Sequence, residues 1–77
     1  MTLIFYTTSN CHLCELAEAL LVSTPMPEPV PVDVVDIAQS EDLVKRYGTR
    51  IPVLRRQDTG TELGWPFTQA QLLTFLQ

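Results

Sequence analysis

The chain has 77 residues, 45% of them hydrophobic and 18% charged, which suits one domain (1–77) around a single core and is too apolar for a disordered segment. Its net charge of −4 disfavours nucleic acid and anionic membranes as partners. No stretch approaches transmembrane length and no basic leader precedes the first apolar run, so a cytoplasmic location is the expectation.

Leu3-Ile4-Phe5-Tyr6-Thr7 is a short run rich in β-favouring residues and apolar nearly throughout, as a central strand buried on both faces would be. Thr8-Ser9-Asn10 turns the chain into a helix expected over about residues 11–22, with Asn10 as its cap. Leu13, Leu16, Ala17, Leu20 and Leu21 form the apolar stripe of that helix, opposite Glu15, Glu18 and Ser23. The two cysteines of the chain, in Cys11-His12-Leu13-Cys14, therefore fall on its first turn, with both sulfurs on one side and within bonding reach. At a helix N-terminus the unpaired N–H groups favour the thiolate form of Cys11, the species that attacks disulfides. Two cysteines alone do not make a secreted disulfide framework, and in a reducing compartment this spacing reads as redox or metal chemistry.

Pro25, Pro27, Pro29 and Pro31 make the next segment an extended connector that can span but cannot pair centrally in a sheet. Val32-Asp33-Val34-Val35-Asp36 reads as a second strand, parallel to the first. Ser40 caps a short second helix with Leu43, Val44 and Tyr47 on its apolar side, and Gly48 stops it. Ile51-Pro52-Val53-Leu54 opens a third strand, Asp58-Thr59-Gly60 is turn chemistry, and Thr61-Glu62-Leu63 returns as a fourth. Thr68 and Gln71 fit a capping box, with Phe67 placed to staple against Leu72, and Leu72, Leu73, Phe75 and Leu76 give the last helix its apolar face. The order βαβαββα implies an α/β fold: a four-stranded mixed sheet with its first strand inside and helices on both faces.

Phe5-Tyr6-Thr7 followed by Cys11-His12-Leu13-Cys14, and then Tyr47-Gly48-Thr49-Arg50-Ile51-Pro52-Val53-Leu54, resembles the glutaredoxin-like branch of the thioredoxin fold, and the resemblance spans essentially the whole chain. It implies that Ile51-Pro52 is a cis peptide bond, that this loop packs against the dithiol, and that the backbone before the proline hydrogen-bonds a bound thiol chain. It further implies Cys11 as nucleophile and Cys14 as resolving thiol. The chain departs from the family in places. Thr8 stands where glutaredoxins often carry a lysine, and Gly64-Trp65-Pro66-Phe67-Thr68 replaces the Gly-Gly and acidic residue that hold glutathione. Glutathione is thus a possible co-substrate for which weak or absent turnover is expected.

Other residues have two readings. His12 either assists proton transfer or donates a metal ligand, or else faces solvent and tunes the site. Arg50 either raises the thiolate fraction or holds an acidic partner's carboxylate, or else is an ordinary surface arginine. Trp65-Pro66-Phe67 either roofs the site or closes the last helix. The leading expectation is a monomeric thiol–disulfide oxidoreductase without resident cofactor or metal. It would act on a disulfide-containing protein or small-molecule disulfide, with a reductase or low-molecular-weight thiol as electron donor. The alternatives are an iron–sulfur or zinc carrier using the same cysteines, which alone fall short of a four-ligand site, and a non-catalytic binding module on the same fold.

Overall fold

The apolar run Leu3–Thr7 forms β1, and both of its faces are covered by helical elements. A computed structural model describes residues 1–26 and 28–77, so Pro27 of the connector lies outside the described residues. The elements that follow are α1 (His12–Ser23), β2 (Val32–Asp36), a single 3-10 turn (Ile37–Gln39), α2 (Glu41–Tyr47), β3 (Val53–Arg56), β4 (Glu62–Gly64) and α3 (Gln69–Phe75). The sheet order is β2-β1-β3-β4. β1 pairs in parallel with β2, from Leu3 opposite Val32 to Thr7 opposite Asp36, and antiparallel with β3, with Phe5 opposite Leu54 and Tyr6 opposite Val53. The β3–β4 hairpin is antiparallel and turns through Gly60, whose φ of +75° is a conformation that L side chains rarely adopt.

Side-chain alternation along β1 and β3 divides the core. Leu3, Phe5 and Leu54 point to one face, where Cys14, Ala17 and Leu21 of α1 meet Phe67 and Leu72. Tyr6 and Val53 point to the other, which Ile37 and Tyr47 cover. The expected mixed sheet with helices on both faces is therefore the fold observed, α1 and α3 on one side and α2 on the other.

Several local expectations are corrected. Helix α1 starts one residue later, and Asn10 is not its cap: at φ 58° Asn10 adopts the left-handed turn conformation that asparagine tolerates, and Cys11 becomes the cap. The buried face of α1 is Cys14, Ala17 and Leu21, while Leu13 and Leu16 are 47% and 43% exposed. The helix carries more apolar residues than one face can hold, and the spacing of 3 and 4 through fully buried Ala17 selects the set that meets the sheet. Gly48 follows α2 with a right-handed φ of −52°, so positive φ is not its role; a Cβ there would run into the Val44 carbonyl oxygen. β3 pairs from Val53 rather than Ile51, because Pro52 has no N–H to give the ladder. β4 likewise runs one residue later than expected, over Glu62–Gly64.

The capping box of α3 is present in full. The Gln71 N–H donates to Thr68 Oγ1 (3.1 Å) and the Thr68 N–H to Gln71 Oε1 (2.8 Å). At the other end of α3, Arg56 donates to the carbonyls of Phe75 (3.0 Å) and Gln77 (2.6 Å) while its fork also holds Asp58, fastening the helix to β3.

Candidate active site

Where β1 ends, the left-handed turn at Asn10 sets Cys11 in extended backbone (φ −102°, ψ 101°) directly ahead of α1. In that position its Sγ takes the place of an N-cap oxygen and accepts the Cys14 backbone N–H at 3.2 Å. The Cα atoms of Cys11 and Cys14 are 5.2 Å apart and the two sulfurs are joined as a disulfide. Exposure separates the pair: Cys11 is half-buried at the rim, and Cys14 is 4% exposed within the core.

Ile51 and Trp65 pack against the same cluster as Cys11 and Cys14, and Pro52 is fully buried. Ile51-Pro52 is cis, as the family resemblance implies, and Trp65-Pro66 is cis as well. Two backbone bonds hold this wall: the Ile51 N–H donates to the Tyr47 carbonyl (3.0 Å), and the Trp65 N–H donates to the Pro52 carbonyl (3.1 Å). Ile51 thus spends its N–H inside the protein, which leaves a bound thiol chain without that donor. Trp65 meets Phe67 edge to face at 5.1 Å, so the aromatic segment both borders the dithiol and closes onto the start of α3.

Two residues singled out in the sequence do not converge with the rest. His12 faces solvent, with Nδ1 3.6 Å from Glu15 Oε2 and both side chains more than 70% exposed (79% and 75%). Arg50 is directed onto the α2 face: its guanidinium donates to Glu62 Oε1 at 3.1 Å and lies 5.3 Å from the centre of the Tyr47 ring. Tyr47 in turn stacks on Tyr6, with ring centres 4.2 Å apart, and donates its hydroxyl to Glu62 Oε2 at 2.5 Å. Burial first, and the Glu62 bond second, push the Tyr47 phenol up to about 12. The same bond, with Arg50 adding to it, holds the Glu62 carboxyl below its ordinary value. Sequence reasoning missed this arrangement because Tyr47 fits the apolar side of α2 without it, and Glu62 fits the exposed face of a short strand.

Among the described residues no three His, Cys, Asp or Glu side chains come together as a metal-holding group, and no helix is long and apolar enough to cross a membrane.

The site is thus a half-buried cysteine at a helix start, disulfide-bonded to a buried one, with the cis Ile51-Pro52 loop packed against the same cluster. The X-ray structure of the structural-genomics target protein XcR50 from X. campestris is 35% identical, with a TM-score of 0.84 over 97% of this chain and 95% of that one. The solution structure of XcR50 gives 36% and 0.80 over 99% and 92%. Protein Ne2328 from Nitrosomonas europaea, also solved in solution, is 27% identical with a TM-score of 0.81 over 99% and 91%. No curated protein matches the chain. The family model described as Glutaredoxin-like domain (DUF836) matches residues 2–77. With a thioredoxin-like fold, a Cys-x-x-Cys dithiol suited to thiol redox chemistry and a family match over nearly its full length, the chain belongs to the glutaredoxin-like domain family.

Proposed function

We propose that the protein is a thiol–disulfide oxidoreductase in which Cys11 attacks and Cys14 resolves. The observation that carries this reading is the unequal exposure of the two sulfurs: Cys11 half-buried at the rim, Cys14 4% exposed behind it. An incoming disulfide meets Cys11 first. The Cys14 N–H directed at Cys11 Sγ favours the thiolate there, as a helix N-terminus does for an anion.

In the reduced protein the Cys11 thiolate attacks one sulfur of the substrate disulfide. A Cys11–substrate bond forms, the substrate S–S bond breaks, and the departing thiolate takes a proton from solvent. Cys14 then gives its proton to solvent and attacks Cys11 Sγ, closing the internal disulfide as the second substrate thiolate leaves and is protonated. Two electrons have passed from the dithiol to the substrate. The 5.2 Å between Cα atoms makes the second step intramolecular, so it competes well with any external thiol. The Cys11–Cys14 disulfide of this structure is the oxidised end of that cycle. A reductase or a low-molecular-weight thiol returns two electrons, and the reducing cytoplasm is the compartment where such a cycle runs.

The test is stoichiometry. One equivalent of a small aromatic disulfide added to fully reduced protein is expected to release two thiols and leave the protein about 2 Da lighter, with no adduct retained. Protein that keeps both thiols free contradicts the reading, and if it is also purified with iron or zinc on the cysteines, a carrier function takes its place.

A further inference from the structure

A second concavity lies on the α2 face, across the sheet from the cluster that holds the dithiol. It is a shallow, open hollow of about 280 Å³, below the roughly 300 Å³ at which pockets for drug-sized ligands begin. Arg46, Arg50 and Arg55 line it, with Tyr47, Gly60 and Glu62. Three guanidiniums against one carboxylate is a local excess of +2 in a chain whose net charge is −4. We propose that this concavity is a binding site for a phosphate-type oxyanion, as a free anion or as the phosphoryl group of a small ester.

The one carboxylate present offsets one of the three charges: it pairs directly with Arg50 and acts at longer range on Arg55, its partner across the ladder. Glu62 accepts from the Tyr47 hydroxyl through one oxygen and from Arg50 through the other, so it orients Arg50 against the ring of Tyr47. Tyr47, raised to about 12, stays a neutral donor at physiological pH and adds no negative charge. Ion pairing within 4.0 Å accounts for Arg50 with Glu62 and Arg56 with Asp58; among the described residues Arg46 and Arg55 have no such carboxylate partner.

The ordinary role for a base in the last turn of a helix is to complement the dipole, and Lys45 and Arg46 both stand there in α2. Only Arg46 of the two lines the concavity. Arg55 reaches from β3 over the hairpin turn, its Nη2 3.6 Å from where a Cβ at position 60 would be, which places its guanidinium beside the turn. The Tyr6 hydroxyl beside Arg55 further raises its pKa, yet a guanidinium has five N–H donors and most of them stay available. Planar forks that line one concavity from a helix and a strand suit the several oxygens of a tetrahedral dianion, and the fork is what sets arginine apart from lysine in phosphate recognition. The site is independent of the redox reading, since it is built around Tyr47 on the face of the sheet opposite the dithiol cluster.

The experiment is an amide NMR titration of the full chain with inorganic phosphate, ionic strength being held constant with sodium chloride. Saturable shifts confined to the amides around Arg46, Arg55, Gly60 and Glu62 are expected, with a Kd on the order of millimolar. Arg46→Gln/Arg55→Gln should weaken binding about tenfold or more, and Lys45→Gln, one residue away but off the site, less than about twofold. If the double variant loses its native spectrum, Arg46→Gln alone at its exposed helical position is read instead, at about threefold weaker. Methyl phosphate tells the sources apart: binding as tight as inorganic phosphate assigns the site to esters, and failure to bind assigns it to the free anion. Shifts that stay linear in phosphate, spread over the whole basic segment, or weaken equally with Lys45→Gln overturn the site.

Discussion

Cys11→Ser is expected to bring reductant-driven turnover of a disulfide substrate down to the uncatalysed rate. A serine hydroxyl is a poor nucleophile at neutral pH and its oxygen cannot enter a disulfide, so no mixed intermediate forms. Cys14 remains, but at 4% exposure it cannot be reached by a substrate sulfur without opening the face that α1 packs on the sheet. Removing an attacking nucleophile costs a serine protease about a million-fold. Thiol–disulfide exchange proceeds at a useful rate without a catalyst, so the drop here is set at about a hundredfold or more. Cys14→Ser behaves differently: it attacks once and then stalls until an external thiol resolves it. Initial rates with a chromogenic disulfide and dithiothreitol, measured for wild type and both variants, decide the point. Wild-type-like turnover by Cys11→Ser sinks the assignment of roles.

Glutathione is expected to be a poor electron donor, by about a hundredfold or more relative to family members with an intact glutathione site. Two of its anchoring positions are changed: Thr8 stands where a lysine is common, and the segment Gly64–Thr68 carries aromatic rings in place of an acidic residue. The structure narrows the possibilities for replacement. Thr68 Oγ1 and Gln71 Oε1 accept each other's backbone N–H in the capping box, and Trp65 gives its backbone N–H to the Pro52 carbonyl. Arg50, the base nearest in sequence to Ile51-Pro52, is committed to Glu62 and Tyr47. Losing a hydrogen bond to a charged group costs about 1.5–3 kcal/mol, so two lost contacts give the stated factor. Turnover of a mixed-disulfide substrate is compared with glutathione and glutathione reductase against thioredoxin reductase as electron source. Vigorous turnover with the first and none with the second contradicts the expectation and makes glutathione the working partner.

Element order was legible because each element announces itself locally. The apolar run of β1, the alternating prolines, the Ser40 cap and the Thr68–Gln71 box each need only a few neighbouring residues, and the structure has every one of them except Pro27, outside the described residues. The dithiol was legible for the same reason. What failed was whatever a distant contact decides. Leu13 and Leu16 have the right spacing for a core stripe, but the sheet takes the face through Ala17 and leaves them exposed. Asn10 has a capping side chain, yet the sharpness of the turn out of β1 puts it at φ 58° and hands the cap to a sulfur. Arg50 lies next to the cis-proline loop in sequence, but Glu62, 12 residues on, draws its guanidinium away. The Tyr6–Tyr47 stack and its bond to Glu62 join three elements, and no local pattern records them.

The central claim, that Cys11 attacks and Cys14 resolves, is tested most directly by mass spectrometry of the two single variants after exposure to a small disulfide. Cys14→Ser is expected to hold one substrate thiol in mixed disulfide on Cys11, removable by dithiothreitol, while Cys11→Ser stays unmodified over the same time. Equal adduct formation on both variants, or an adduct on Cys14 alone, contradicts the account.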